Sequence, residues 1–223
     1  VQCDMAVVLE RKRRFYLMIH CYGDSWTYGS DLTGEELPYP KHLGIRFQEP
    51  VINRGKPGNS NLRIYHDFME DLTHGKIKEL DKIVFCFTEI TRFTAWDQHE
   101  SDSNYCKYTP VFPYGQDRHK ELFKWTFDKD QGMYDLWTSM ISLHNICKQN
   151  KLNYVFGFAF GKDYLQRTSF RPDIQKLVNY VNELKMNRAD RRFSTFSKDL
   201  KPGEHSDHEG HIKYAEYLWS HLK

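Results

Sequence analysis

The sequence predicts an α/β fold, a three-layer α/β/α sandwich with a mainly parallel central sheet. Four short runs are largely apolar, which is typical of strands buried on both faces of a parallel sheet. Between the later runs lie segments with apolar residues at three- and four-residue spacing, as amphipathic helices require. Strands that alternate with helices indicate crossover connections. At 223 residues, the chain is long enough for one such domain with a full core.

The order of the elements follows from these patterns. The predicted strands are residues 15–22, 49–53, 82–88 and 154–160. The predicted helices are residues 61–75, 133–150, 174–184 and 210–222. The strands set the frame for the site, because ligands bind at the carboxyl ends of the strands in open parallel sheets.

Two stretches stand outside this alternation. Residues 1–14 contain the basic run Arg11 to Arg14, and we expect them to be a loosely ordered N-terminal extension. Residues 94–130 are polar and aromatic and too long for a simple connection, so we expect an insertion within the single domain 15–223.

The composition excludes several classes of protein. Mean hydropathy is low at -0.73, but 15% of the residues are aromatic, which is against disorder. The net charge of +2 is too small to predict binding to nucleic acid or to an anionic membrane. No apolar run reaches the roughly 18 residues of a membrane helix. We therefore expect a soluble globular domain with neither nucleic-acid nor membrane partners.

The cysteines and the N-terminal sequence indicate the cellular compartment of the protein. The five cysteines are odd in number, scattered and never in a C-x-x-C pair, which favours reduced thiols. No export signal is visible at the N-terminus. The expectation is a cytoplasmic protein.

Candidate catalytic residues occur near both ends of the chain. Ser25 follows the first predicted strand, where a serine either presents a nucleophile at the edge of the sheet or caps the next helix. His205, His208 and His211 crowd into seven residues before the last helix. Such a cluster in a loop indicates a partner, and a serine hydroxyl that a histidine deprotonates is the plausible one.

Three blocks of residues then resemble a known family, the SGNH hydrolases, also called GDSL esterases/lipases. Residues 22–29 read Tyr-Gly-Asp-Ser-Trp-Thr-Tyr-Gly and resemble its first block. Residues 53–60 read Asn-Arg-Gly-Lys-Pro-Gly-Asn-Ser and resemble the second. His205, followed by Gly210-His211 and a helix that contains Ala215, resembles the last. The likeness spans about residues 15–222 in the right order and implies a flavodoxin-like sandwich of the SGNH type.

The resemblance implies a serine hydrolase that needs no cofactor and no metal. Ser25 takes the place of the nucleophile and His205 that of the general base. The N–H groups of Ser25 and Gly58 take the place of oxyanion donors. Asp24 is expected to tie the nucleophile turn to its surroundings, and the nearby Asn59 and Asn61 are expected to cap loops.

One departure from the family concerns the acid that orients the histidine. The family usually has Asp three residues before the catalytic His, and here Pro202 stands there. Proline cannot accept the imidazole N–H, so Asp199, the adjacent Glu204 or a backbone carbonyl is left to do so. Of these, Asp199 is the preferred candidate, because neighbouring side chains such as those of 204 and 205 normally diverge.

A second departure concerns the oxyanion hole. The third block usually contains an Asn, and residues 88–92, Thr-Glu-Ile-Thr-Arg, contain none. Thr88, Thr91 or Arg92 is left to supply the third donor, and Arg92 offers a charged one. Losing one oxyanion donor typically costs about 10²–10³ in rate.

The function expected from the resemblance is cleavage of carboxylic esters, with short acyl groups such as acetyl on carbohydrate as the expected substrate. One alternative is a weak or inactive SGNH-fold module that binds carbohydrate. Another is a metal-dependent hydrolase that uses His205, Asp207 and His208. Compact variants of the family occur in bacteria and their viruses, so a virion location or a phage-encoded origin stays open, as does the oligomeric state.

Overall fold

The computed structural model describes residues 17–97, 107–111, 120–121, 123–124, 128–160, 171–197, 200 and 204–223. A four-stranded sheet runs through the middle of this part, and two further strands form a separate sheet. In chain order the strands are β1 (Ile19–Tyr22), β2 (Val51–Asn53), β3 (Lys82–Phe87), β4 (Phe93–Asp97), β5 (Lys107–Val111) and β6 (Asn153–Phe158). The larger sheet has the order β2-β1-β3-β6, and all of its pairs are parallel.

Helices cover both faces of the larger sheet. In chain order they are α1 (Ser25–Tyr28), α2 (Tyr39–Phe47), α3 (Asn61–Thr73), α4 (Lys129–Gln149), α5 (Pro172–Glu183) and α6 (His208–His221), with a short 3-10 helix at Phe193–Thr195. Helices α3, α4 and α5 contribute to the core on one face, and α2 and α6 contribute to the core on the other. The predicted three-layer sandwich with a parallel sheet is confirmed.

Strand β3 shows why its apolar run forms a central strand. All six of its residues are buried, and side chains alternate between the faces of a strand. Phe85 and Phe87 join the core beneath α3 and α4, whereas Val84 and Cys86 join the core beneath α2 and α6. Burying a Val or Phe side chain stabilises the fold by about 1.5–3 kcal/mol, so both faces of the strand hold the layers together.

Among the elements that differ from the sequence prediction, two have a clear local cause. Helix α2 was not predicted, because only Tyr39, Pro40 and Leu43 of its nine residues are buried and Ile45 is 65% exposed. Helix α4 begins at residue 129 rather than 133, since the Asp128 side chain accepts a hydrogen bond from the first turn.

The two-stranded sheet falls almost wholly within the stretch predicted as an insertion, 94–130. Strands β4 and β5 pair antiparallel, with Phe93 opposite Val111. The rest of residues 94–130, apart from 120–121, 123–124 and 128–130, lies outside the described residues, and so does the predicted N-terminal extension, 1–14. None of the helices in the described part is long and apolar enough to cross a membrane.

The sheet topology brings the predicted site residues to one edge. From the inner strand β1 the chain runs to β2 on one side and then returns to β3 on the other. The carboxyl ends of neighbouring β1 and β3 therefore flank a switch point, the place where doubly wound sheets bind ligands. The segments that follow β1, β2 and β3 hold Ser25, Gly58 and residues 88–92, respectively.

Candidate active site

Ser25 is the first residue of α1, directly after the turn that leaves β1. The cap of this helix is Asp24, whose Oδ1 accepts a hydrogen bond from the Trp26 N–H at 3.0 Å. Ser25 is therefore not the capping residue, and its own N–H has no hydrogen-bond acceptor among the described residues. The position offers both a hydroxyl and an uncommitted N–H at the edge of the sheet.

The turn before Ser25 requires glycine. A Cβ at Gly23 would lie 1.9 Å from the Thr27 Oγ1 and 3.1 Å from the backbone oxygen of Cys86, so α1 packs directly on the turn. Cys86 lies beneath, fully buried, and burial raises the pKa of its thiol to about 12. This thiol stays protonated at neutral pH, so it does not compete with Ser25 as a nucleophile.

Asp24 ties the nucleophile turn to the segment after β3. Its carboxylate is fully buried, and Oδ2 accepts hydrogen bonds from the Thr88 hydroxyl at 2.7 Å and from Arg92 Nη1 at 2.8 Å. This is the structural role expected for Asp24. The Thr88 hydroxyl is thereby committed to Asp24, whereas the Arg92 guanidinium has further N–H groups.

The loop that carries Gly58 is anchored to the same turn. The Lys56 N–H and the Asn59 side-chain amide both donate to the Gly23 carbonyl oxygen, at 3.2 and 3.1 Å. Gly58 has a φ of +78°, a left-handed conformation that glycine adopts without strain. Its N–H has no acceptor among the described residues, as an oxyanion donor requires. Asn59 and Asn61 are both buried and hydrogen-bonded to backbone, as expected of loop caps.

His205 packs against the nucleophile helix α1. Its ring centroid is 5.8 Å from that of Trp26, the residue after Ser25, and its side chain is 20% exposed. The ring Nδ1 lies 2.7 Å from Asp31 Oδ2. A carboxylate only accepts, so in the neutral ring Nδ1 carries the proton and Nε2 keeps its lone pair. That tautomer is the one a general base needs.

Asp31 was missed by the sequence interpretation. Asp199, the preferred candidate for the orienting acid, lies outside the described residues, and Glu204 is exposed. Asp31 and His205 are separated by 174 positions, so no spacing rule links them. The sequence feature that could have indicated Asp31 is its position, an acid shortly after the nucleophile helix in a segment to which no other role was assigned.

Between the described side chains of Ser25 and His205 there is no direct hydrogen bond. Trp26 links the two residues, because it follows Ser25 in the sequence and its ring lies against the His205 ring. It is 1% exposed and packs edge-on against Phe160 and Phe193. Catalytic hydrogen bonds are often long in resting enzymes and shorten when substrate binds.

The other residues of the histidine cluster have structural partners. The Asp207 side chain caps α6 by accepting from the Gly210 N–H at 2.8 Å. His208 Nδ1 accepts from the Leu37 N–H at 3.4 Å. The described residues contain no group of three His, Cys, Asp or Glu side chains arranged to hold a metal ion. The structure thus adds no observation in favour of the metal-dependent alternative.

Comparison with known proteins rests on structure. No family model and no curated protein matches the chain. A lipolytic protein of the G-D-S-L family from Desulfitobacterium hafniense superposes with a TM-score of 0.52 at 13% identity, covering 92% of this chain and 99% of that one. The chain has the fold of the SGNH hydrolases. The fold implied by the three sequence blocks is thereby confirmed.

Two further structures with the SGNH fold are similar to this chain. A catalytic mutant of an acetylxylan esterase from Geobacillus stearothermophilus has a TM-score of 0.54 at 13% identity, covering 92% of this chain and 94% of that one. TesA has a TM-score of 0.54 at 12% identity, and the superposition covers 92% of this chain and 98% of TesA. At these identities the likeness concerns the fold, and the chemistry of this chain has to be argued from its own residues.

Proposed function

We propose that the protein hydrolyses carboxylic esters, with Ser25 as the nucleophile and His205 as the general base. The observation that carries this is the hydrogen bond from His205 Nδ1 to Asp31, which leaves Nε2 as an acceptor beside the nucleophile helix. The uncommitted N–H of Ser25 and the esterase fold support the same chemistry.

The reaction follows from these groups. His205 Nε2 takes the proton of the Ser25 hydroxyl while Oγ forms a bond to the ester carbonyl carbon. The protonated ring then gives its proton to the alkoxide oxygen as the bond to the alcohol breaks. A water molecule attacks the acyl-enzyme with the same proton transfers, which releases the acid and restores Ser25.

The negative charge that develops on the carbonyl oxygen needs aligned donors. The backbone N–H groups of Ser25 and Gly58 supply two of them in this proposal. Arg92 supplies the third, because the Thr88 hydroxyl donates to Asp24 and the Thr91 hydroxyl donates to Glu89. One Arg92 N–H holds Asp24 and the others are left for the oxyanion.

A short acyl group on a carbohydrate is the proposed substrate class. Two of the structural neighbours, AlAXEase and the enzyme from Geobacillus stearothermophilus, are described as acetylxylan esterases. Ser25 is only 5% exposed, and its neighbour Trp26 is 1% exposed. A nucleophile with so little exposed surface favours a small acyl group.

Covalent labelling tests the proposal. A fluorophosphonate probe, followed by mass spectrometry of the adduct, should modify Ser25 in the wild-type protein. Labelling should vanish in Ser25→Ala and fall by about 10³-fold or more in His205→Ala. The matched controls are Ser220→Ala and His74→Ala, which remove an exposed serine and an exposed histidine and should leave labelling unchanged.

Turnover of p-nitrophenyl acetate provides the second readout. Hydrolysis that depends on both Ser25 and His205 supports the esterase. No labelling together with no turnover would contradict it and favour the inactive carbohydrate-binding module. Turnover that survives Ser25→Ala and is abolished by a chelator would favour the metal-dependent alternative.

A further inference from the structure

The segment that follows the nucleophile helix is docked onto the C-terminal histidine cluster at three points. Each contact uses the Nδ1 atom of a histidine, and the three histidines are spaced three residues apart. The pairs are Asp31 with His205 at 2.7 Å, the Leu37 N–H with His208 at 3.4 Å, and the Tyr39 N–H with His211 at 3.0 Å. The segment that contains Asp31 is therefore held against the segment that contains His205.

We propose that Asp31 is the positioning residue that holds the His205 ring in its basic tautomer, in place of an acid three residues before the histidine. The proposal rests on the proposed function, because it assigns the partner of the proposed base. It places the acid six residues after the nucleophile, on the same segment of chain. Nucleophile and acid then come from one end of the sequence, and the other end supplies the histidine.

The local backbone aims Asp31 at His205. Gly29 ends α1 with a φ of +91°, and Asp31 itself has a φ of +70°. Two left-handed residues so close together turn the chain back after the short helix. Aspartate and asparagine tolerate this conformation better than most residues, because their short polar side chains bond locally. An acid therefore fits this position without much strain.

The other two histidines secure the geometry through the opposite tautomer. Nδ1 of His208 and Nδ1 of His211 each accept from a backbone N–H, so neither of these atoms carries a proton. At His205 the partner is a carboxylate, which requires a proton on Nδ1. Of the three rings, His205 is thus the one whose Nε2 is held as an acceptor.

Solvent limits the size of the effect. The Asp31 side chain is 66% exposed, whereas the orienting acid of a buried triad is shielded from water. Water competes for a hydrogen bond to an exposed carboxylate, so the energetic contribution of this contact is reduced. Removing the carboxylate is therefore expected to lower kcat about 10- to 100-fold, less than the roughly 10⁴-fold lost from a buried triad.

Asp31→Asn is the sharpest test, because Asn also suits a left-handed backbone and folding should be preserved. With p-nitrophenyl acetate we expect the 10- to 100-fold loss to appear in kcat, with KM within about twofold of wild type. Asp31→Glu keeps the carboxylate and should recover part of the loss. Glu35→Gln, which neutralises an exposed acid in the same loop, is the matched control and should have no effect.

A readout that does not need activity separates this proposal from the proposed function. Nitrogen-15 NMR of the imidazole rings should show His205 as the Nδ1–H tautomer in the wild-type protein and a shift toward Nε2–H in Asp31→Ala, whose side chain cannot accept a hydrogen bond. An unchanged tautomer, or a kcat within twofold of wild type, would overturn the role of Asp31. Absence of Ser25 labelling in the wild-type protein would instead overturn the proposed function while the NMR result still decides whether Asp31 holds the ring.

Discussion

The Asn61 side chain pairs with both backbone polar groups of Thr88. Its Oδ1 accepts from the Thr88 N–H at 2.8 Å, and its Nδ2 donates to the Thr88 carbonyl oxygen at 3.1 Å. Asn61 begins α3 and is 3% exposed, and Thr88 follows β3. This pair fixes the start of α3 against the segment that carries Arg92.

Asn61→Ala is expected to lower the free energy of unfolding by about 2–4 kcal/mol. The substitution leaves a buried N–H and a buried C=O without partners, and each such group costs about 1–3 kcal/mol. Urea unfolding measures the change, and Asn179→Ala, at an exposed position on α5, is the control. A loss of less than 1 kcal/mol would show that water or a neighbouring group replaces the Asn61 amide.

Asp24→Asn should destabilise the fold by about 3 kcal/mol. The change leaves the Arg92 guanidinium, which is 16% exposed, without its anionic partner, and breaking a largely buried ion pair is costly. Urea midpoints provide the measurement. Asp173→Asn breaks a solvent-exposed pair with Arg171 and should leave the midpoint unchanged. Equal midpoints for Asp24→Asn and wild type would contradict the structural role given to Asp24.

Arg92→Lys and Thr88→Val separate support of Asp24 from stabilisation of the oxyanion. Both substitutions weaken a hydrogen bond to Asp24. Only Arg92→Lys also removes the proposed third oxyanion donor, so it should lower kcat about 10²-fold with KM little changed, whereas Thr88→Val should lower kcat less than tenfold. Steady-state kinetics with p-nitrophenyl acetate measures both, and equal losses would contradict the role of Arg92.

Acid should destabilise the protein partly through His211. Burial, followed by the neighbouring histidines, lowers the pKa of this fully buried residue from 6.5 to about 3. Below pH 6.5 the unfolded chain binds a proton that native His211 does not bind. The stabilising contribution of neutral His211 is therefore complete above pH 6.5 and is lost toward pH 3, by about 1.4 kcal/mol per unit.

His211→Asn isolates this contribution, because Asn does not titrate and its Oδ1 still accepts from the Tyr39 N–H. Urea unfolding between pH 7 and pH 4 should show that the free energy of unfolding falls less steeply with pH in this variant than in the wild type. The difference in slope should correspond to about one proton. His74→Asn, at an exposed position, should leave the slope unchanged. Burial also lowers the pKa of other histidines, so the comparison must be made against the wild-type slope; they are His20, His42, His66 and His144. Identical slopes for His211→Asn and wild type would contradict the assignment.

The sequence alone was sufficient for the parallel sheet and for the segments that border its carboxyl edge. Apolar runs such as 82–88 specify a strand through local composition, because a strand buried on both faces has no polar side to display. Gly23 in the Gly-Asp-Ser turn and the left-handed Gly58 also meet local backbone requirements, so both can be recognised from a sequence motif. Helix α2 escaped prediction because much of its surface faces water, so its apolar pattern is short.

What the sequence could not supply were partners brought together by the tertiary fold. Hydrogen bonding fixes Asp24 to Arg92 across 68 positions and Asp31 to His205 across 174, and no periodicity encodes such distances. A side chain three residues before His205 is near it by chain geometry alone, so its absence was visible as Pro202. Its substitute was not visible, because a carboxylate can reach a ring nitrogen from any segment that the fold docks beside it. Local chemistry therefore determined the sheet and the nucleophile turn, and only the packing of both chain ends together decided which acid meets the histidine.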